Sequence, residues 1–365
     1  MRIERISNKQ EVFTIILFVV GVSSIFTTGI EAGNDLWLSV ICSVIFAIPA
    51  VAIYARINYL YPGKDLFDIL EICFGKILGK IVGLLYVWFA FHLSSLVVRD
   101  FGEFYVTVAA PETPMIVPML FVTLLNIWII KEGIETIGKF VEIYVPFIIG
   151  LIIITVLLLI PQMEIDNLKP LLYNGIKPVL KGAFTDFSFP FGEIVIFTMI
   201  FSSIKKKGLS HFKIYFSGLF ISGFIILISS TTDLLVLGAD RVSEVYFPSY
   251  DAVRRLNVGN FIQRMEIVVS VVFLIGGFVK LSVCSLAACK GLTKVFGFKD
   301  YRFIVTPVAL VKLNLAYLIS DSIMDFISWS THVWKYYAFP FQVVLPVIIV
   351  IVAEVKSRKS NLKKT

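Results

Sequence analysis

The sequence is poor in charge, in cysteine and in histidine. Only 16% of its 365 residues are charged, whereas 58% are hydrophobic, and this balance is typical of a polytopic membrane protein. The 4 cysteines form no C-x-x-C pair and the 3 histidines are scattered, so neither a disulfide framework nor a metal site is predicted. The sequence also has no nucleophile–base pair and no phosphate-binding loop, which argues against an enzyme, and no cofactor is expected.

Long apolar runs recur along the chain and predict an all-α protein with ten transmembrane helices. Ten spans place both termini on one side of the membrane. Most of the 33 lysines and arginines, including Lys205–Lys207, fall on that side, so the positive-inside rule puts the termini in the cytoplasm. The net charge of +7 is explained by this topology and does not indicate nucleic-acid binding. The predicted spans are 11–32, 36–57, 77–98, 115–130, 140–160, 183–203, 212–237, 265–288, 303–319 and 334–354.

The sixth apolar run is interrupted by Phe187–Glu193, which reads Phe-Ser-Phe-Pro-Phe-Gly-Glu. Pro190 lacks an N–H group and clashes with the preceding turn, while Gly192 gives the backbone freedom. Glu193 is a carboxylate at membrane depth, where a charge costs about 3 kcal/mol. These residues predict a broken helix whose freed backbone and acid line a cavity. A simple proline kink with Glu193 near the outer interface is the alternative.

A second candidate break lies in the first run, at Thr27–Ile30, which reads Thr-Thr-Gly-Ile. The hydroxyls compete for backbone groups, and the glycine tolerates unusual dihedral angles. Breaks in the first and sixth of ten spans suggest an inverted repeat of five plus five helices with its site near the midplane. We expect one transmembrane domain over residues 1–365, with a first repeat over 1–160, an extracytoplasmic loop over 161–182, and a second repeat with a basic cytoplasmic tail over 183–365.

Helix breaks leave backbone N–H and carbonyl groups without partners, and such a place suits the two charges of an amino acid. We expect the ligand carboxylate to meet amides near Thr28–Ile30 and its ammonium to meet carbonyls near Phe187–Phe189. The phenylalanines of the second break are candidates for an apolar wall, with plain core or lipid-facing packing as the alternative. The candidate ligand-binding residues are Thr27, Thr28, Gly29, Ile30, Phe187, Ser188, Phe189, Gly192, Glu193 and Lys280.

Lys280 lies near the middle of the eighth apolar run, after two glycines. A buried ammonium needs a carboxylate, carbonyls or water. Three interpretations are open: Lys280 pairs with Glu193, it stands where a coupling cation would otherwise sit, or it snorkels to the cytoplasmic interface. Lys312 lies nearer the end of its run, and there snorkelling is expected.

Two further groups of charged residues have local explanations. Arg99, Asp100 and Glu103 form a charged cluster at the outer end of the third span, in which Arg99 and Glu103 have the spacing of an i,i+4 ion pair, with a gate or a subunit contact as the alternative. Glu31, Asn34 and Asp35 follow the first break, and we expect them to cap the connection between the first two spans.

Several short stretches follow one another along the chain in an order and spacing that are typical of a known family. They are Ile6–Gln10, Ala32–Trp37, Phe74–Lys80, Arg99–Phe104, Pro111–Pro114, Gly133–Lys139, Asn167–Pro170, Phe247–Pro248, Gly259–Arg264 and Phe278–Ser282. Together they resemble the spore germination permeases, the B subunits of nutrient germinant receptors. The resemblance covers nearly the whole chain, although none of the stretches is specific by itself.

This resemblance implies kinship with the amino acid–polyamine–organocation transporters and a LeuT-like fold. It also implies a place in the inner membrane of a bacterial endospore and two partners, a membrane-bound A subunit and a lipoprotein C subunit. The expected function is nutrient sensing, with an amino acid as the typical ligand. Two alternatives stay open: an autonomous amino acid permease coupled to protons or sodium, and a structural subunit that binds no ligand.

Overall fold

The computed structural model describes residues 6–201, 210–256 and 264–362 of the chain. The basic cluster Lys205–Lys207 and the stretch Gly259–Gln263 lie outside these described residues. Within them the chain is helical and contains no β-strand, as the sequence predicts. The α-helices are α1 (Asn8–Ser23), α2 (Leu36–Leu60), α3 (Leu66–Phe104), α4 (Ile116–Glu132), α5 (Ile134–Leu159), α6 (Ile176–Asp186), α7 (Phe197–Ile200), α8 (Ser210–Leu237), α9 (Ala239–Glu244), α10 (Pro248–Arg254), α11 (Glu266–Phe296), α12 (Val305–Leu318), α13 (Ile323–His332), α14 (Trp334–Phe339) and α15 (Leu345–Leu362).

The described part of the chain contains 7 helical segments that are long and apolar enough to cross a membrane. An eighth is added if α12 and α13, which meet at a bend of 100°, form one span. Two more of the predicted spans correspond to α1 and α4, which have 16 and 17 residues and are shorter than a typical span of about 20. The 7 segments are Ile30–Leu60, Leu66–Ala109, Ile134–Gln162, Ile176–Ile200, His211–Leu237, Glu266–Phe296 and Trp334–Arg358.

The helices that carry the two predicted breaks lie inside the bundle. α1 packs against α5, α8 and α11, and α2 packs against α6 and α8. α3 lies along α11 and also contacts α12, which packs against α4 as well. The interior contains large apolar side chains such as Phe18 and Phe197, whose ring centroids lie 5.0 Å apart in an edge-on contact. This arrangement surrounds both breaks with protein on most sides.

α1 is shorter than the predicted first span, because it ends at Ser23 and does not continue to Ala32. The hydroxyls of Ser23 and Ser24 donate back to carbonyls of the last turn, those of Val19 and Gly21, and bonding of this kind weakens a helix end. Residues 24–29 then run without regular helix, and one tight turn at Ile30–Asp35 leads into α2. The interruption therefore begins earlier than the predicted Thr27.

The predicted break in the sixth span is present. α6 ends at Asp186, and a wide turn over Phe187–Phe191 follows, in which Phe189 has the extended angles φ −138° and ψ 116°. The peptide bond between Phe189 and Pro190 is cis. A tight turn over Gly192–Ile196 then leads to the short helix α7. A simple proline kink does not describe this geometry, since the chain leaves the helical conformation at Phe189.

Candidate functional site

Gly29 shapes the unwound segment that follows α1. Its φ of +69° lies in the left-handed region, which costs a glycine little because it has no Cβ. A Cβ at this position would also collide with the carboxylate of Asp186 and lie 2.7 Å from Oγ of Ser39. Only a glycine therefore lets the segment lie directly against α6 and α2.

Hydrogen bonds from two other elements tie down this region. Thr27 Oγ1 donates to Oδ2 of Asp233 on α8 at 2.8 Å. Ser39 Oγ donates to Oδ2 of Asp186, at the end of α6, at 2.7 Å. Both carboxylates are buried, with exposures of 3% for Asp233 and 2% for Asp186. The unwound segment is thus fastened to α8 through Thr27, and it lies against Asp186 of α6, which is itself held by α2.

The carbonyl of Ser188, in the second break, is taken by two side chains of the protein. Gln342 Nε2 donates to the Ser188 carbonyl at 2.8 Å, and Trp334 Nε1 donates to the same oxygen at 3.3 Å. The Tyr54 hydroxyl donates to the Gln342 carbonyl at 2.5 Å and lies 3.3 Å from the Gly192 carbonyl. The predicted contact between a ligand ammonium and carbonyls of this turn is therefore not available at Ser188, because two donors already occupy that oxygen.

Glu193 and Lys280 form a buried ion pair. Lys280 Nζ lies 2.5 Å from Glu193 Oε2, and neither side chain has any exposed surface. The ammonium meets only Oε2, so Glu193 Oε1 has no hydrogen-bond partner within the described residues. Lys280 Nζ also lies 4.2 Å from the centroid of the Phe189 ring, a cation–π contact. Of the three interpretations of Lys280, the pairing with Glu193 is confirmed, and snorkelling is wrong.

A cavity of about 150 Å³ lies between the two breaks. Tyr246 of its rim is 37% exposed, whereas Glu193 and Lys280 are fully buried at its inner end. Of the predicted site residues, Phe187, Ser188 and Gly192 do not line it. Those that do line it are Thr27, Thr28, Gly29, Ile30, Phe189, Glu193 and Lys280.

A second ion pair borders this cavity, and sequence reasoning missed it. Lys335 Nζ lies 2.9 Å from Oε1 of Glu31 and also donates to Oγ1 of Thr185 at 3.0 Å. Thr185 Oγ1 in turn donates to Glu31 at 3.0 Å. The predicted capping role of Glu31 is wrong, since its carboxylate contacts these two side chains. The position of Glu31 beside a predicted break was a signal for a site, but its partner Lys335 is 304 positions away.

Asp100 of α3, which the sequence placed only in a charged cluster, lines the same cavity and is 7% exposed. Its neighbour Arg99 forms the predicted i,i+4 pair, with Nε 2.7 Å from Oε1 of Glu103. Arg99 also donates to the Tyr317 carbonyl near the end of α12 at 3.0 Å, so this pair fastens α3 to α12.

Lys312 and Asp35 differ from their predicted roles. Lys312 is 1% exposed and donates to Asn126 Oδ1 at 2.6 Å and Ser285 Oγ at 2.8 Å, so it does not snorkel. Asp35 accepts from the amide of Leu172 at 3.0 Å and caps no helix.

In the described chain no three His, Cys, Asp or Glu side chains are grouped so as to hold a metal ion.

Comparisons of the sequence with known proteins find spore germination proteins. A family model described as spore germination protein, Spore permease, matches residues 5–323. Spore germination protein KB of Bacillus subtilis is 28% identical over 99% of this chain and 97% of its own length. Spore germination protein A2 of the same organism is 23% identical over 89% of this chain and 87% of its own.

The solved structures include a close fold neighbour. Mhp1, a nucleobase-cation-symport-1 family transporter in a closed conformation with bromovinylhydantoin bound, superposes with a TM-score of 0.68. The match covers 93% of this chain and 77% of the transporter, at 13% sequence identity. At this identity the likeness concerns the fold alone, which is the LeuT-like transporter fold. None of these names describes an enzyme.

Proposed function

The chain belongs to the spore permease family of spore germination proteins, and from this premise we propose that it is the nutrient-sensing B subunit of a germinant receptor. The observation that carries the proposal is the cavity between the two interrupted helices, with a buried ion pair at its inner end and a second ion pair beside it. Groups of opposite charge that keep unused hydrogen-bonding capacity suit a small zwitterion. The ligand class we propose is a free amino acid.

The geometry suggests how such a ligand lies in the cavity. The amides of Thr28 and Gly29 donate no hydrogen bond within the described residues and are available to its carboxylate. Its ammonium is directed to Glu193, whose Oε1 has no hydrogen-bond partner in the described chain. This replaces the carbonyls of Phe187–Phe189 as the predicted ammonium site. A volume of about 150 Å³ favours a small metabolite, because drug-sized ligands occupy roughly 300–1,000 Å³.

Binding in this cavity is proposed to act on partner subunits. A ligand that contacts both interrupted helices stabilises the arrangement in which it binds best. We propose that a membrane-bound A subunit and a lipoprotein C subunit detect this shift and trigger germination. The proposed location is the inner membrane of the endospore, with both chain termini in the cytoplasm.

The proposed topology is ten spans in two inverted halves of five. It uses α1 and α4 as short spans beside the 7 longer segments and treats α12 with α13 as one bent span. The first half then covers 1–160, the loop covers 161–182, and the second half with its basic tail covers 183–365. The two interrupted helices are the first of each half, which is where transporters with inverted repeats bind their substrates.

An autonomous amino acid permease, coupled to protons or sodium, is the second candidate. The observation in its favour is the fold likeness to a complete transporter over 93% of this chain. Proteoliposomes that contain only this chain separate the two functions. Saturable binding of a labelled amino acid without sustained uptake supports the receptor, whereas steady uptake down an ion gradient supports the permease. If the chain binds no amino acid, alone or with its partners, the remaining interpretation is a structural subunit that binds no ligand.

Variants of the ion pair test the site itself. A thermal-shift screen of amino acids on the purified chain identifies the ligand first. We then expect Glu193→Gln and Lys280→Ala to weaken its binding at least tenfold while the protein remains in the membrane, because each loses one charge that faces the ligand. Lys312→Met is the matched control, since it removes another fully buried lysine that does not line the cavity. Unchanged binding in both site variants means that the site is misplaced.

A further inference from the structure

Asp233 on α8 is a buried carboxylate without a cationic partner in the described chain. It lies one turn before the helix ends at Leu237 and is 3% exposed. Both of its hydrogen bonds, from Thr27 Oγ1 at 2.8 Å and Ser249 Oγ at 2.6 Å, end on Oδ2. Within the described residues Oδ1 accepts none, and no lysine or arginine pairs with the group. Burial of an ionised carboxylate is costly unless a positive charge offsets it.

This carboxylate lines a small cavity of its own, which we call the Asp233 cavity. Its volume of about 40 Å³ exceeds the roughly 10–15 Å³ that one water needs, so an ion with little or no hydration fits. It lies between the end of α1 and the helices α5, α8, α10 and α11. The polar residues that line it are Ser24, Thr155, Ser229, Thr232, Asp233 and Ser249.

The hydroxyl protons of three of these lining residues are already committed to other acceptors. Ser24 Oγ donates to the Gly21 carbonyl at 2.7 Å, and Thr155 Oγ1 donates to the Leu151 carbonyl at 2.9 Å. Ser249 donates to Asp233 itself. With their protons committed, these oxygens offer only lone pairs. Oxygen lone pairs beside a carboxylate are the ligands that hard cations prefer.

We propose that the Asp233 cavity binds one alkali-metal cation, with the oxygens of Asp233, Ser24, Thr155 and Ser249 as ligands. One carboxylate among neutral hydroxyls carries a single negative charge, which a monovalent cation balances. A divalent ion would leave a net positive charge in a buried site. Na⁺ and K⁺ share this chemistry, and the experiment below distinguishes them.

Thr27 connects this cation to the larger cavity. Its hydroxyl bonds to Asp233, and the same residue lines the cavity between the two breaks. A cation that holds Asp233 in place therefore also holds one wall of the proposed ligand site. By reciprocity, the cation and the ligand then raise each other's affinity by the same factor.

The test uses the purified full-length chain with no nutrient present, so its result does not depend on the proposed function. Unfolding midpoints are measured in NaCl, in KCl and in N-methyl-D-glucamine chloride at equal ionic strength. We expect a saturating rise of a few degrees in at least one of the two alkali salts, and the cation with the lower half-saturating concentration is the preferred ligand. The rise is expected to vanish in Asp233→Asn.

Asp186→Asn is the matched control. Asp186 is equally buried and accepts a bond from the Ser39 hydroxyl, yet it does not line the Asp233 cavity, so this variant is expected to keep the rise. If Asp233→Asn does not fold, Thr155→Val decides: it keeps the side-chain shape, removes one ligand and is expected to raise the half-saturating concentration more than threefold.

Three results overturn the proposal. The first is an equal midpoint of the wild type in all three salts, and the second is a rise that persists unchanged in Asp233→Asn or Thr155→Val. The third is a midpoint that depends on pH but on neither Na⁺ nor K⁺, since a proton then neutralises Asp233.

Discussion

At the scale of single residues, three buried lysines illustrate how a charge is accommodated inside the protein. Lys280 has a carboxylate at 2.5 Å, and Lys335 has one at 2.9 Å, whereas Lys312 has only the neutral partners Asn126 and Ser285. The two lysines with a carboxylate line the larger cavity, and Lys312 does not. Attraction offsets part of the desolvation cost of each pair, and a ligand with two charges can replace that attraction. The pairs therefore suit a site that exchanges internal contacts for ligand contacts.

A double-mutant cycle tests the pair of Lys280 and Glu193. Removal of one partner leaves an uncompensated buried charge, so we expect Lys280→Met and Glu193→Gln each to lower the free energy of unfolding by about 3–5 kcal/mol. The double variant is expected to lose less than either single variant, because no unpaired charge remains. Denaturant unfolding of the purified chain measures all three, and losses that simply add would mean that the two groups are not paired.

Lys169→Met is the control for this cycle. Lys169 pairs with Asp166 at 3.0 Å, but the two side chains are 66% and 89% exposed. Ion pairs in water contribute about 0–1 kcal/mol, so the same kind of substitution is expected to change stability little here.

At the scale of helices, the close crossing of α1 and α11 positions the site. A Cβ on Gly21 would collide with the backbone of Gly276 and would lie 2.7 Å from the amide nitrogen of Gly277. The two backbones thus touch, as small residues allow where membrane helices pack. This contact holds the end of α1, where the unwound segment begins, beside the turn of α11 that carries Lys280. The shape of the cavity depends on it.

We expect Gly21→Ala to separate these helices. Overpacking of this kind costs about 1–3 kcal/mol, and here it also moves one wall of the cavity, so ligand affinity is expected to fall together with the unfolding midpoint. Gly150→Ala on α5 is the control, because a Cβ there meets nothing within 4 Å. That variant is expected to be neutral or up to about 1 kcal/mol more stable, since alanine favours a helix over glycine. Equal effects of the two variants would contradict the close crossing.

At the scale of the whole molecule, the two cavities share the segment that follows α1. Thr27 lines the larger cavity, and Ser24 lines the Asp233 cavity. The rim of the larger cavity includes Tyr246, which follows α9 and the end of α8. In the ten-span topology this end of α8 faces away from the chain termini. If the proposed topology and function hold, the larger cavity opens on the side from which we expect a nutrient to arrive.

Cysteine accessibility tests this topology. We expect Tyr173→Cys to react with a membrane-impermeant maleimide added outside intact cells, because Tyr173 is 80% exposed in the predicted extracytoplasmic loop. Arg358→Cys, whose native side chain is 83% exposed near the C-terminus, is expected to react only after permeabilisation. Native Cys42 is only partly exposed, and the unsubstituted chain gives its background. Labelling of both positions from the same side would refute an odd number of spans between them, and with it the five-span second half.

The sequence by itself determined the features that depend on neighbouring residues. The apolar runs predicted an all-helical membrane protein, since about twenty apolar residues in succession form a helix long enough to cross a bilayer. The disturbed stretch Phe187–Glu193 predicted the break that the structure contains, because a proline and a glycine act on their own turn. Seven of the ten candidate site residues line the larger cavity, and the sequence singled them out because they lie at the breaks or, like Lys280, are out of place in an apolar run.

Only the tertiary structure decided which groups meet. The bond from Thr27 to Asp233 joins positions 206 apart, and that from Lys335 to Glu31 joins positions 304 apart. The carbonyl of Ser188 looked free in the sequence, but Gln342 and Trp334, both far along the chain, occupy it. Hydrogen bonds and ion pairs act over about 3–4 Å, and no local pattern determines which distant helices approach that closely. Packing of the bundle alone sets those distances.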